Sequence, residues 1–135
     1  MTLKELADEL QYIPNEAIAY YDKVKNELVI ALDYEDDYFP LIDDMEEKDE
    51  MIALPDSFEI NDRKMMLRFA QYNSSDELLS TLHGKGLYRR FKEKVSELGL
   101  DEEWYKFKDE WYLDVVENWC NRNGLKLDDC NNVLL

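Results

Sequence analysis

Leu3, Leu6, Ala7 and Leu10 recur at helical spacing, and Thr2 with Glu5 three residues later makes a capping-box pattern. These positions predict a short first helix that ends before Pro14. The period then changes. Ala17 to Asp22 and Glu27 to Asp33 are β-favouring runs, and Lys23-Val24-Lys25-Asn26 between them supplies a hairpin connection. Leu28 to Leu32 are apolar at every position, which predicts a central strand covered on both faces. Met51 to Leu54 reads as a third strand, terminated by Pro55. From Asn61 the spacing is helical again, with Met65, Met66, Phe69 and Ala70 on one stripe. Ser74-Ser75-Asp76-Glu77 opens a further helix whose Leu78, Leu79 and Leu82 turn inward before a stop at Gly84. Leu87 to Leu98, with Phe91, Val95 and Leu98 on one side, precedes the stop at Gly99, and Asp101 caps a last helix reaching Asn123. The fold class expected is α+β: an N-terminal helix, a small three-stranded antiparallel sheet and a C-terminal bundle of about four helices. A single domain of residues 1–135 is expected, with an acidic helix and sheet part over 1–60, a helical part over 61–124 and a tail over 125–135.

Residues 33–50 break both periods. They hold ten carboxylates interleaved with Tyr34, Tyr38, Phe39, Leu41, Ile42 and Met45. Repulsion among these charges opposes dense packing, so an exposed loop with one helical turn is expected. The bias extends beyond it: residues 1–62 carry 4 Lys against 19 Asp and Glu, a net of -15, whereas residues 63–135 carry 12 basic against 13 acidic, a net of -1. Together these make the formal net charge of -16, which repels nucleic acid from the N-terminal part and marks that part as an interaction surface.

Several functional classes find little support. No apolar run exceeds the five residues from Leu28 to Leu32, far short of the roughly 18 that suggest a membrane span. Lys4, Glu5, Asp8 and Glu9 leave no apolar signal-peptide centre, and the compartment expected is the cytoplasm. Cys120 and Cys130 form no Cys-x-x-Cys pair and His83 is the single histidine, so neither a metal site nor any other cofactor is expected. Carboxylates are too numerous for one acid and base couple to stand out, and Asp33 to Asp37 lack the calcium-loop spacing.

Against this acidity, Gly84-Lys85-Gly86-Leu87-Tyr88-Arg89-Arg90-Phe91-Lys92 is a local reversal. It lacks the Gly-x-x-x-x-Gly-Lys-Ser/Thr spacing of a P-loop. Lys85, Arg89, Arg90 and Lys92 form a candidate anion-binding set, with Lys94 beyond them and Tyr88 placed to stack on a base. The alternative is internal pairing, with the acidic part or with a helix neighbour such as Glu93. The net charge of -16 favours the internal reading. On the last helix Trp104, Tyr105, Phe107, Trp111, Tyr112, Val115, Val116 and Trp119 share about half the circumference, an arc read as core, and Lys108 falls inside it. A catalytic lysine needs a partner group, and none is evident.

Tyr20-Tyr21, Ile52-Ala53-Leu54-Pro55, Ile60-Asn61-Asp62, Met66, Phe69, Gly84-Lys85-Gly86, Arg89-Arg90-Phe91-Lys92, Trp104-Tyr105, Phe107, Tyr112, Trp119 and Asn123-Gly124 form an ordered set across most of the chain. In that set the chain resembles Uncharacterised Protein Family 0158, small bacterial proteins. Leu87-Tyr88 and Asn26 depart from the family pattern but keep its apolar and turn character. The resemblance implies an α+β bacterial domain and brings no assigned activity, cofactor or catalytic residues, so the function is read from the charges. The function expected from the residues is therefore non-catalytic: an interaction protein whose surface of Tyr34, Glu35, Asp36, Asp37, Tyr38, Phe39, Asp43, Asp44, Glu46 and Glu47 meets a basic protein partner. Its sharper form is nucleic-acid mimicry, in which the carboxylates occupy a phosphate-binding groove. The alternative is a nucleic-acid-binding module built on Gly84 to Lys94.

Overall fold

The computed structural model describes residues 1–14 and 16–127, so Cys130 and the expected tail from residue 128 lie outside the described residues. The chain divides into two compact units, Met1–Glu59 together with the chain from Tyr112 onward, and Ile60–Trp111.

In the first unit, α1 (Leu3–Leu10) starts at Thr2, whose side-chain oxygen accepts from the Glu5 N–H at 3.1 Å, and buries the stripe Leu3, Leu6, Ala7 and Leu10. A hairpin follows. Strands β1 (Ala17–Asp22) and β2 (Glu27–Leu32) pair antiparallel with Ala17 opposite Leu32 and Asp22 opposite Glu27. The short β3 (Met51–Ala53) pairs antiparallel along the other side of β1, Tyr20 facing Ala53. The order is β2-β1-β3, which corrects the expectation that the aliphatic strand is central. The two-sided apolar pattern of β2 has another cause. Helix α2 (Ile42–Glu46) covers one sheet face, where Met45 and Ile42 pack with Tyr20, Val29, Ala31 and Met51. On the alternate positions Tyr21 meets Trp119 edge-on, with ring centroids 6.1 Å apart, and Trp119 Nε1 donates to the Ala53 carbonyl at 2.8 Å. A sheet sandwiched in this way makes an edge strand look central in sequence.

The hairpin turn is held by a buried acid. Asp22 is 3% exposed, and its Oδ1 accepts from the N–H groups of Val24 at 2.9 Å and Lys25 at 3.0 Å. Asn26 closes the turn at φ 54°, a left-handed conformation that asparagine tolerates, and its Oδ1 accepts from the Tyr21 hydroxyl at 2.7 Å. A four-residue helix α3 (Ser57–Ile60), not anticipated, starts where Asp56 Oδ1 accepts the Glu59 N–H.

In the second unit, α4 (Asp62–Tyr72) buries the expected Met65, Met66, Phe69 and Ala70 behind an Asn61 cap. Helix α5 (Asp76–Leu79) is capped by Ser75 but ends sooner than expected. Ser80 and Thr81 hydroxyls turn back onto the carbonyls of Glu77 and Leu78, each at 2.7 Å, and tighten the chain out of the helix, leaving His83 in a bend. Helix α6 (Leu87–Glu97) buries Phe91 and Val95, whereas Leu98, expected on the same side, forms its cap and is 39% exposed. Helix α7 (Asp101–Arg122) opens in this unit, where Phe69, Phe91 and Trp104 form an edge-to-face cluster with centroids 5.1 to 6.2 Å apart. Of the expected aromatic arc, Trp104, Tyr112, Val116 and Trp119 are buried and Tyr105 faces outward. No described helix is long and apolar enough to cross a membrane.

Candidate functional site

The division into units sharpens the charge asymmetry. Residues 60–111 contain ten Lys and Arg and ten Asp and Glu, so the entire net charge of -16 belongs to the unit that carries the sheet. Within that unit the densest anionic stretch, residues 33–50, is more organised than repulsion among its carboxylates implied. It is tied to the sheet at two places. Leu32 donates its N–H to the Pro40 carbonyl at 3.0 Å and forms a parallel bridge with Leu41. Further on, Met45 is buried against Tyr20 and Ala31, and the Tyr20 hydroxyl donates to Glu46 Oε1 at 2.6 Å. Burial, and then this bond to a carboxylate, hold the Tyr20 hydroxyl well above the usual phenol range.

Within the turn that the Leu32–Pro40 bond closes, Asp36 fixes the backbone, its Oδ2 accepting from the N–H groups of Tyr38 at 2.8 Å and Phe39 at 3.0 Å. The aromatic rings on and beside this turn project outward, Tyr34 being 51%, Tyr38 89% and Phe39 44% exposed. The ten expected surface residues are all exposed, but they divide in role. Asp36 and Glu46 shape the loop, while Glu35, Asp37, Asp43, Asp44 and Glu47 leave exposed charge on the same segment as the three rings. The loop is therefore a preorganised anionic surface with apolar anchors.

The basic motif in the other unit is largely occupied with its own segment. Gly84 and Gly86, at φ 70° and 73°, wrap the chain so that the Arg90 guanidinium donates to the carbonyls of Thr81, His83 and Lys85. A Cβ on Gly86 would meet Arg90 Nη1 at 3.4 Å. Arg89 pairs with Glu93 at 3.1 Å, Lys94 pairs with Glu97 at 2.8 Å, and Lys92 lies 5.6 Å from the centre of the Tyr88 ring. Lys85 is exposed on the loop itself. Lys108 is half-buried, with Nζ 3.3 Å from the Tyr88 hydroxyl.

Two features escaped the sequence reading. Asp22 looked like one more acid, although its position one residue before a Lys-Val-Lys-Asn turn is where a capping carboxylate belongs. A shallow cleft of about 470 Å³ in the second unit, lined by Asn61, Arg63, Lys64, Leu67, Leu79, Leu82 and His83, joins α4 and α5 positions that no sequence spacing connects. Among the described residues no cluster of three or more His, Cys, Asp or Glu side chains is arranged to hold a metal ion. Compared with family models, with curated proteins and with solved structures, the chain matches none.

Proposed function

We propose that this chain is a non-catalytic interaction protein of the bacterial cytoplasm, which docks a basic protein on the acidic-aromatic loop of residues 34–47. The observation that carries the reading is a coincidence of place: the unit holding all the net charge also holds Tyr34, Tyr38 and Phe39 exposed on a turn fixed by hydrogen bonds. Each part has a separate task. Carboxylates accelerate encounter with a cationic surface and reject anionic ones, while rings carried on a hydrogen-bonded backbone turn offer apolar area at a reduced backbone ordering cost. A loop already organised before binding favours this use over a solvating tail. A nucleic-acid mimic is the sharper form, with the loop carboxylates standing where phosphates lie on the partner's groove. The resemblance to Uncharacterised Protein Family 0158 adds no activity, so the reading rests on these residues.

A photoreactive phenylalanine analogue in place of Tyr38 tests it in native extract. Cross-linked species that are basic proteins, and that vanish when Asp37, Asp43, Asp44 and Glu47 become the matching amides, support the reading. Asp36 and Glu46 stay untouched because they hold the loop. Cross-links unchanged by the four amides contradict it. Nucleic acid bound by the chain and released by Arg89→Ala with Lys85→Ala gives the function to the basic segment instead.

A further inference from the structure

Strand β2 forms one edge of the sheet, and the register shows which of its backbone groups face outward. Hydrogen bonds from Leu54 N–H to the Ala19 carbonyl and from Lys23 N–H to the Glu50 carbonyl show that the odd-numbered positions of β1 turn their backbone groups toward β3. Its even positions, Ile18, Tyr20 and Asp22, therefore bond with their opposites Ala31, Val29 and Glu27 on β2. Alternation leaves Leu28, Ile30 and Leu32 of β2 directed away from the sheet. Leu32 confirms this direction, since its N–H is the one that meets Pro40. Leu28 and Ile30 have no backbone partner on that side among the described residues. The edge is thus half used: the loop has added itself at Leu32 and stops short of Ile30.

We propose that β2 accepts an extended cationic segment of the partner by strand addition at Leu28 and Ile30, next to the point where the acidic loop leaves the sheet. This rests on the function proposed above and adds its mode. Unpaired N–H and C=O groups template a strand from another chain, and main-chain bonds supply affinity where flanking side chains supply choice. The choice here is set by charge. Glu27 lies at one end of the open stretch, beside Lys25, and Asp33, Glu35, Asp36 and Asp37 follow at the other, so a segment bearing lysine or arginine is favoured, most strongly at the end next to the acidic loop. A second copy of this chain is the wrong occupant, because two molecules of net charge -16 repel and Pro40 already blocks the edge at Leu32.

The probe is a terminally blocked octapeptide of alternating lysine and valine, compared with the same peptide N-methylated on its four central amides. Amide exchange of the full chain is followed by NMR. Without peptide, Val29 and Ala31 exchange slowly and Leu28 and Ile30 quickly. With peptide, Leu28 and Ile30 become protected, and N-methylation lowers affinity about tenfold or more, as expected for the loss of two or more main-chain bonds. If the peptide binds, and the four-amide loop variant weakens it, yet Leu28 and Ile30 stay unprotected and N-methylation has no effect, strand addition is overturned while the docking function stands. If neither peptide binds at low salt, both fall. Leu28 and Ile30 protected in the free protein together with a dimer mass assign the edge to a second copy and overturn the proposal.

Discussion

Replacing Tyr20 by Phe removes one oxygen from the contact that fastens the acidic helix α2 to the sheet. The ring remains and its burial is preserved, so the variant isolates the 2.6 Å bond to Glu46 Oε1. A hydrogen bond to a charged acceptor contributes about 1.5 to 3 kcal/mol when both groups are sequestered, but Glu46 is exposed and regains water, so a loss of about 1 kcal/mol is expected at pH 7. The pH dependence is more diagnostic. Folding raises the Tyr20 hydroxyl above its ordinary value of 10.0, through burial first and Glu46 second, so the native protein keeps a proton that the unfolded chain releases. That stabilisation is complete below the unfolded pKa and is lost as pH climbs above it. One retained proton corresponds to a slope of about 1.4 kcal/mol per pH unit, and integration from pH 9 to pH 11 gives a loss of about 1.4 kcal/mol that Tyr20→Phe does not suffer. Urea unfolding at pH 7, 9, 10 and 11 on both proteins measures the difference, the other tyrosines cancelling between them. Parallel stability curves across that range refute the retained proton, and with it the raising of the Tyr20 hydroxyl by burial and by Glu46 together.

Five further substitutions, at Asp22, Arg90, Arg89 and Trp119, probe contacts that residue type alone does not reveal. Asp22→Ala strips two backbone N–H groups of their acceptor in the hairpin and should cost about 1 to 2 kcal/mol in urea unfolding, whereas Asp22→Asn, which keeps an acceptor oxygen, should recover most of it. Arg90→Ala leaves three carbonyls of the 81–85 segment without their donor and should destabilise by about 1 to 2 kcal/mol, while Arg89→Ala, which breaks an exposed i,i+4 pair, should stay within about 0.5 kcal/mol. Equal effects at the two arginines would remove the distinction drawn between them. Trp119→Phe forfeits the bond to the Ala53 carbonyl and part of the contact with Tyr21, for which about 2 kcal/mol in thermal or urea unfolding is expected.

Elements whose signals are local were legible in the chain. The Thr2 and Ser75 caps, the Met65-Met66-Phe69-Ala70 stripe and the Gly99 stop need only neighbours within a few residues, and each stands where spacing placed it. Strand order was not local. Whether β2 or β1 sits in the middle depends on which strand β3 pairs with, and three residues followed by a proline carry no address. The early end of α5 likewise turns on Ser80 and Thr81 hydroxyls competing for helix carbonyls, a contest that apolar periodicity does not register. At the candidate site, composition located the loop and its rings. Only the folded chain distinguishes Asp36 and Glu46, which shape it, from the acids beside them, because that distinction lies in a few hydrogen bonds. The basic motif misled in the same way: Arg89 and Arg90 are adjacent and identical in type, yet one faces solvent beside Glu93 and the other closes on a loop of carbonyls.

The claim that an ordered anionic surface does the docking is tested most directly by titrating the lysine-valine octapeptide into the intact chain and its Asp37, Asp43, Asp44 and Glu47 amide variant at several salt concentrations. The intact protein should bind with an affinity that falls steeply between low and physiological salt, and the variant should bind more weakly with a flatter dependence. The same affinity and the same salt slope in both proteins would contradict it.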